Sequence, residues 1–299
     1  MTACSRFSSL VLLCGAIAVS PAVAQEAPAP EEPPLELAFA EASDDNVAWA
    51  EERGRLLYLY DQAAWQSSLA FMRAYDSEAL GQYMRGYVVV PGAEDGTLDA
   101  IYYGDFGAGN VEVARYSVAG TALGDGGFHP ADARPALSPL AERMAAVRQL
   151  AVEAAMASQL AACSEVPANT IVLPAGEGEP VDVYFMTPVT SPEFFPLGGH
   201  YRVTVREDKS FPGIHSLEKG CPQAPVPALT GDGSQILIDP VPYTIAPEPS
   251  EVHVFASYLR PMPIFVDTPR SRTAWRIEGG KVEAVGEASA FAPPEDRAN

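Results

Sequence analysis

The chain has 299 residues, a hydrophobic fraction of 47% and a formal net charge of −20, which gives enough apolar material for one large domain or two ordinary ones and too much for a disordered chain. Its 39 acidic residues against 19 basic ones repel phosphate backbones and anionic lipid heads, so nucleic acid and acidic membrane surfaces are excluded as expected partners.

At the N-terminus, Arg6 precedes an apolar stretch, Leu10–Val19, which Pro21 ends. Ala22-Val23-Ala24 then supplies a small-x-small cleavage pattern. This order predicts a cleavable secretory signal over residues 1–24, too short to span a bilayer of about 30 Å. Cys14 offers a competing lipoprotein reading, but Leu13 stands where a small residue normally precedes the modified cysteine. With the signal removed, no apolar run approaches the roughly 20 residues a spanning helix needs, so stable membrane insertion is not expected. The expected location is periplasmic or extracellular. Loss of Arg6 deepens the charge to −21.

Of four cysteines, Cys4 and Cys14 leave with the signal, and Cys163 and Cys221 remain. Two cysteines in an oxidising compartment are most simply one disulfide. It closes a loop of about 59 residues, worth roughly 4 kcal/mol in the chain-entropy model. The competing reading is a reactive thiol at Cys221, favoured toward thiolate by Lys219.

Residues 25–43 read as a disordered leader rich in proline and glutamate, extended rather than packed. From Asp44 the pattern becomes helical, with Asp44 and Asp45 at N-cap positions and Trp49, Leu56, Tyr60, Ala63 and Ala64 on one face. A break is expected near Gly54 or Asp61. Eight of the chain's 27 aromatic residues fall between Trp49 and Tyr87, and at helical spacing they read as core. Strands are expected at Gly86–Pro91, Leu98–Phe106 and Val111–Val118, the last two forming a hairpin through Gly107–Asn110. A surface loop follows over residues 120–127. A second long helix starts with Ser138 as N-cap and Pro139 at the first helical position, and its pattern runs to Cys163.

Beyond Pro167 the pattern turns to short strands: Thr170–Leu173, Val181–Met186, Tyr201–Arg206, Gln235–Ile238, Val252–Ser257, Pro263–Val266, Thr273–Ile277 and Lys281–Val285, with Gly279-Gly280 as a hairpin turn. Seven prolines between Pro222 and Pro249 assign that stretch to loop or sheet edge. The expected fold is α+β: helical segments with a small antiparallel sheet over 44–163, then a β-rich antiparallel sheet or sandwich over 164–285, and a tail over 286–299.

Sequence signatures of chemistry are few. There is no GxSxG, no GxxxxGK and no HxxH or HExxH pair, so no nucleophile elbow, phosphate loop, metal or cofactor is expected. His200 shares a strand face with Arg202, and Glu251 shares one with His253. If those strands were neighbours, the four side chains would make a polar patch, which is also how any solvated sheet face alternates. Phe194–Arg202, with Pro196-Leu197-Gly198-Gly199 at its centre, is the most unusual local sequence and reads either as a ligand lip or as a plain tight turn. Catalytic residues cannot be named. The expectation is a non-catalytic binding or interaction module of the periplasm, with its ligand or protein partner unknown. The alternatives are a hydrolase using His200, Glu251 and His253, and a structural or envelope-assembly protein.

Overall fold

The structure is a computed structural model that describes residues 44–158, 160–191, 193–218, 220–225, 243–245, 249–259, 263–268 and 272–287. The expected signal, the leader, the strand at Gln235–Ile238 and residues 288–299 of the tail lie outside the described residues.

Helix α1 runs unbroken from Asp44 to Ala74 and is followed by the single turn α2 (Ser77–Leu80). The break expected at Gly54 or Asp61 does not occur. Glycine costs a helix interior about 1 kcal/mol relative to alanine, but here it admits a second helix. A Cβ on Gly54 would lie 2.5 Å from Val254 Cβ, and only a glycine allows that approach. Of the aromatic run, Tyr60 and Phe71 enter the core, where Phe71 stacks on Tyr102 with ring centroids 4.0 Å apart. Trp49 and Trp65 stay half exposed, at 46% and 57%.

Strands β1 (Met84–Pro91), β2 (Thr97–Asp105), β3 (Asn110–Ala119) and β4 (Ala122–Phe128) form an antiparallel meander in that order. The loop expected over 120–127 is therefore mostly the edge strand β4. Its residues are largely solvent-exposed, so no buried face imposed an alternating pattern on the sequence. Helix α3 (Pro139–Ala157) starts as read, with Ser138 Oγ accepting the Ala141 N–H at 3.2 Å. It ends six residues short of Cys163. Ser158 turns its N–H and hydroxyl back onto the Ala154 carbonyl, at 3.1 and 2.8 Å, which satisfies the last turn.

A second antiparallel sheet has the order β5 (Asn169–Leu173), β6 (Val181–Met186), β8 (Tyr201–Val205), β9 (Ile214–Ser216). Its β7 (Phe194–Pro196) turns aside to pair with β10 (Gln223–Pro225). The edge strands β1 and β5 lie side by side, and Tyr87 donates its hydroxyl to the Thr170 carbonyl at 3.1 Å. The C-terminal sheet places β11 (Tyr243–Ile245) parallel to β12 (Ile264–Thr268), with β13 (Thr273–Glu278) and β14 (Lys281–Glu287) antiparallel beyond it. The Gly279-Gly280 hairpin is as read. The fold is α+β.

Residues Val252–Ser257, expected as a strand, belong to helix α4 (Glu251–Leu259). Every residue from Glu251 to Ser257 is buried. A helix enclosed on all sides has no polar face to set a 3.6-residue period, and the accidental alternation Glu-Val-His-Val imitates a strand.

Two cores result. One holds α1 and α4 against Val89, Tyr102, Tyr116, Ile171 and Tyr184. The other holds α3 against the opposite faces of the two sheets, at Val88, Ile101, Tyr103, Val183 and Val203. Residues before and after Ser164 contribute to both, so α1 and α3 lie on opposite sides of a sheet layer that joins the N-terminal and C-terminal sequence.

Candidate functional site

Of the four side chains singled out from the sequence, Arg202 and Glu251 meet, while His200 and His253 are buried and bonded to other partners. Arg202 lies across the strand pair from Tyr184, on the sheet face that meets α1 and α4. Its Nη1 donates to Glu251 Oε1 at 2.7 Å, with the two side chains 21% and 4% exposed. Tyr184 donates to the same Glu251 oxygen at 3.4 Å. Burial, reinforced by Glu251, pushes the Tyr184 hydroxyl well above its ordinary range. Beside them Arg53 pairs with Asp182, which also accepts from Thr204 Oγ1 at 2.6 Å. Arg202 lies 5.4 Å from the centroid of the Trp49 ring and Arg53 lies 6.0 Å from it. The result is a ladder of carboxylates and guanidiniums joining α1, α4 and the β6–β8 pair.

The two histidines close local structure. At the start of α4, His253 Nδ1 accepts the Ser250 N–H at 3.1 Å, a variant of the capping box. That leaves the proton on Nε2, which donates to Glu218 at 3.0 Å. His200 Nδ1 accepts the Thr187 N–H at 3.1 Å, and Nε2–H donates to the Pro196 carbonyl at 3.2 Å. Burial pulls the His200 imidazole down to about 4, so the ring is neutral. All four ring nitrogens are engaged within the protein, and both rings are at most 2% exposed. Among the described residues no group of three or more His, Cys, Asp or Glu side chains is placed to hold a metal ion.

Cys163 and Cys221 form a disulfide with Cα atoms 5.5 Å apart. It also explains the Pro-Leu-Gly-Gly turn. Gly199 has φ +74°, and a Cβ there would lie 2.5 Å from Cys163 Sγ. The N–H groups of Leu197 and Gly198 donate to the Pro222 carbonyl at 2.9 and 3.2 Å. The glycines are required because the disulfide and Pro222 lie directly on the turn.

Beside the disulfide lies a cleft of about 610 Å³, with Cys163 in its lining. One wall is the C-terminal half of α3, with Arg148, Val152, Ala155 and Met156. Its floor is the sheet face at Thr170, Phe185, Thr187 and Tyr201, and its other wall is the segment from Leu160 to Ala168. That segment is tied down by the disulfide and by Tyr201, whose hydroxyl donates to the Ala161 carbonyl at 2.7 Å. Met156 and Val166 remain 77% and 51% exposed. The volume is that of a small-molecule site, which is generally apolar with a few fixed polar groups. None of the cleft's α3 residues was a sequence candidate. Alanine and valine on a helix read as packing, and no sequence signal marks which side of a helix the sheet leaves uncovered.

Comparison with protein-family models, curated proteins and solved structures finds no match for the chain. No helix among the described residues is long and apolar enough to cross a membrane.

Proposed function

We propose that this protein is a non-catalytic binding module, exported to the periplasm or the cell exterior, that holds a small, largely apolar ligand in the cleft beside α3. The observation that carries this reading is the cleft itself, about 610 Å³ and lined chiefly by apolar side chains. Both of its walls belong to the folded body. A preformed cavity of this kind binds without first ordering a loop. The engaged ring nitrogens of His200 and His253 also favour binding over acid–base chemistry at that cluster. Export is supported by the signal pattern of residues 1–24 and by a disulfide that suits an oxidising compartment.

The test uses N-phenyl-1-naphthylamine, a neutral apolar fluorophore, titrated into the native protein. Saturable fluorescence enhancement at one site per chain is expected, with loss of that site in Ala168→Trp. Ala168 is an exposed residue of the cleft wall, so a bulky replacement there fills the cleft without entering the core. Non-saturable enhancement, or full binding by Ala168→Trp, contradicts the reading.

A further inference from the structure

The cleft's lining includes a single charged side chain among the described residues, Arg148, and no carboxylate. Arg148 is also held in place. Its Nε donates to Thr170 Oγ1 at 2.8 Å, and Thr170 is 8% exposed. Its guanidinium packs against Gly86, where a Cβ would come 2.9 Å from Nη1 and 3.2 Å from Cζ. Gly86 has φ +142°, a conformation that side-chain-bearing residues rarely adopt. The Tyr87 ring centroid is 6.0 Å away, and the Tyr103 hydroxyl is within hydrogen-bonding reach.

The arginines anchored among side chains of the two sheets differ from Arg148 in facing a carboxylate, and Arg143, which faces none, spends its Nη donors on the carbonyls of Ala175, Gly176 and Glu179. Arg53 faces Asp182, Arg115 faces Glu112 and Asp99, and Arg202 faces Glu251. Arg148 makes no ion pair among the described residues, although the chain carries 39 acidic side chains. Its surroundings are a hydroxyl, two tyrosines and an apolar cleft. A guanidinium fixed by Nε retains its paired Nη donors, the geometry that accepts a carboxylate by two parallel hydrogen bonds.

We propose that the cleft's ligand is a small amphipathic carboxylate, with its head on Arg148 beside Thr170 and its apolar body against Val152, Met156, Val166 and Phe185. This rests on the cleft being a binding site, and it names the ligand's chemical class. The acidic surface does not oppose it, because repulsion between exposed charges is screened within about 10 Å at ordinary salt, whereas a partly desolvated contact is screened much less.

The test compares decanoate with decanol, which share a chain and differ in the head group, as displacers of N-phenyl-1-naphthylamine from the full native protein. Decanoate is expected to displace the probe at a concentration about tenfold lower than decanol, the usual worth of one charge-assisted contact. Arg148→Gln is expected to bring decanoate down to the level of decanol, and Arg148→Lys to retain part of the advantage. Equal displacement by the two compounds in the wild type overturns the head-group assignment and leaves the cleft reading intact. So does an undiminished decanoate advantage in a folded Arg148→Gln. Should that variant fail to fold, the wild-type comparison still decides. Failure of the probe to bind saturably removes both.

Discussion

At the scale of single residues, the polar groups divide into those that answer one another and those that do not. Arg202 and Glu251 answer one another in the interior. Removing one member of a buried pair strands the other, at a typical cost of 3–5 kcal/mol, whereas replacing both with apolar groups is often nearly neutral. Arg202→Met is therefore expected to lower the stability measured by urea unfolding by about 3 kcal/mol, and addition of Glu251→Leu to restore most of it. A double variant as unstable as the sum of two single losses would show that the pair does not act as a unit.

Among the described residues Asp61 has no such charged partner. Its carboxyl accepts a long hydrogen bond from Gln62, at 3.3 Å, and burial pushes it from 3.8 up to about 6. A raised folded-state value means that the native chain holds the proton more tightly than the unfolded one. The associated stability is present below pH 3.8 and is lost as pH rises through about 6. Asp61→Asn should thus raise the melting temperature at pH 7.5, corresponding to about 1–3 kcal/mol, and give no advantage at pH 3.5. Scanning calorimetry at the two pH values checks this, and an equal effect at both would refute it.

At the scale of elements, helix packing decides where glycine and alternation mislead. Gly54 reads as a helix breaker, yet α1 runs through it because α4 comes so close that a Cβ would lie 2.5 Å from Val254 Cβ. Gly54→Ala should therefore destabilise the protein by about 1–3 kcal/mol through overpacking, against the roughly 1 kcal/mol that alanine's helix propensity would otherwise contribute. A melting temperature that rises in this variant would contradict the packing account. The same helix pair shows what sequence reading reaches. Helix α3 was legible because Ser138 and Pro139 mark its start and one of its faces meets solvent. The β2–β3 hairpin was legible because each strand has turn residues at its ends. Helix α4 was not, since burial on all sides erased its period, and β4 was not, since exposure left its residues free of any pattern. Among the candidate residues, Arg202 and Glu251 do meet, although through a helix rather than two strands. Arg148 was invisible because nothing in a sequence tells which arginine will line an apolar cleft in space.

At the scale of the whole molecule, the Cys163–Cys221 bridge connects the segment that follows α3 to the residues just before β10, and so joins sequence on both sides of Ser164. It was legible from the cysteine count together with the expectation of an oxidising compartment. Native protein treated with an alkylating agent should show no reactive thiol until reduced. Cys163→Ser/Cys221→Ser should lose roughly 4 kcal/mol of stability and also weaken probe binding, since Leu160–Ala168 is the cleft wall the bridge ties down. A reduced protein that keeps full affinity would separate the bridge from the site.

The central claim is that the space beside α3 is where a ligand sits. Methyl-resolved NMR of the native protein titrated with decanoate tests it most directly. The account predicts saturable shifts confined to the methyl groups of Val152, Met156, Leu160 and Val166, with those of Val254 and Ile264 in the opposite core unmoved. Shifts centred on the α1–α4 core, or none at saturating decanoate, would contradict it.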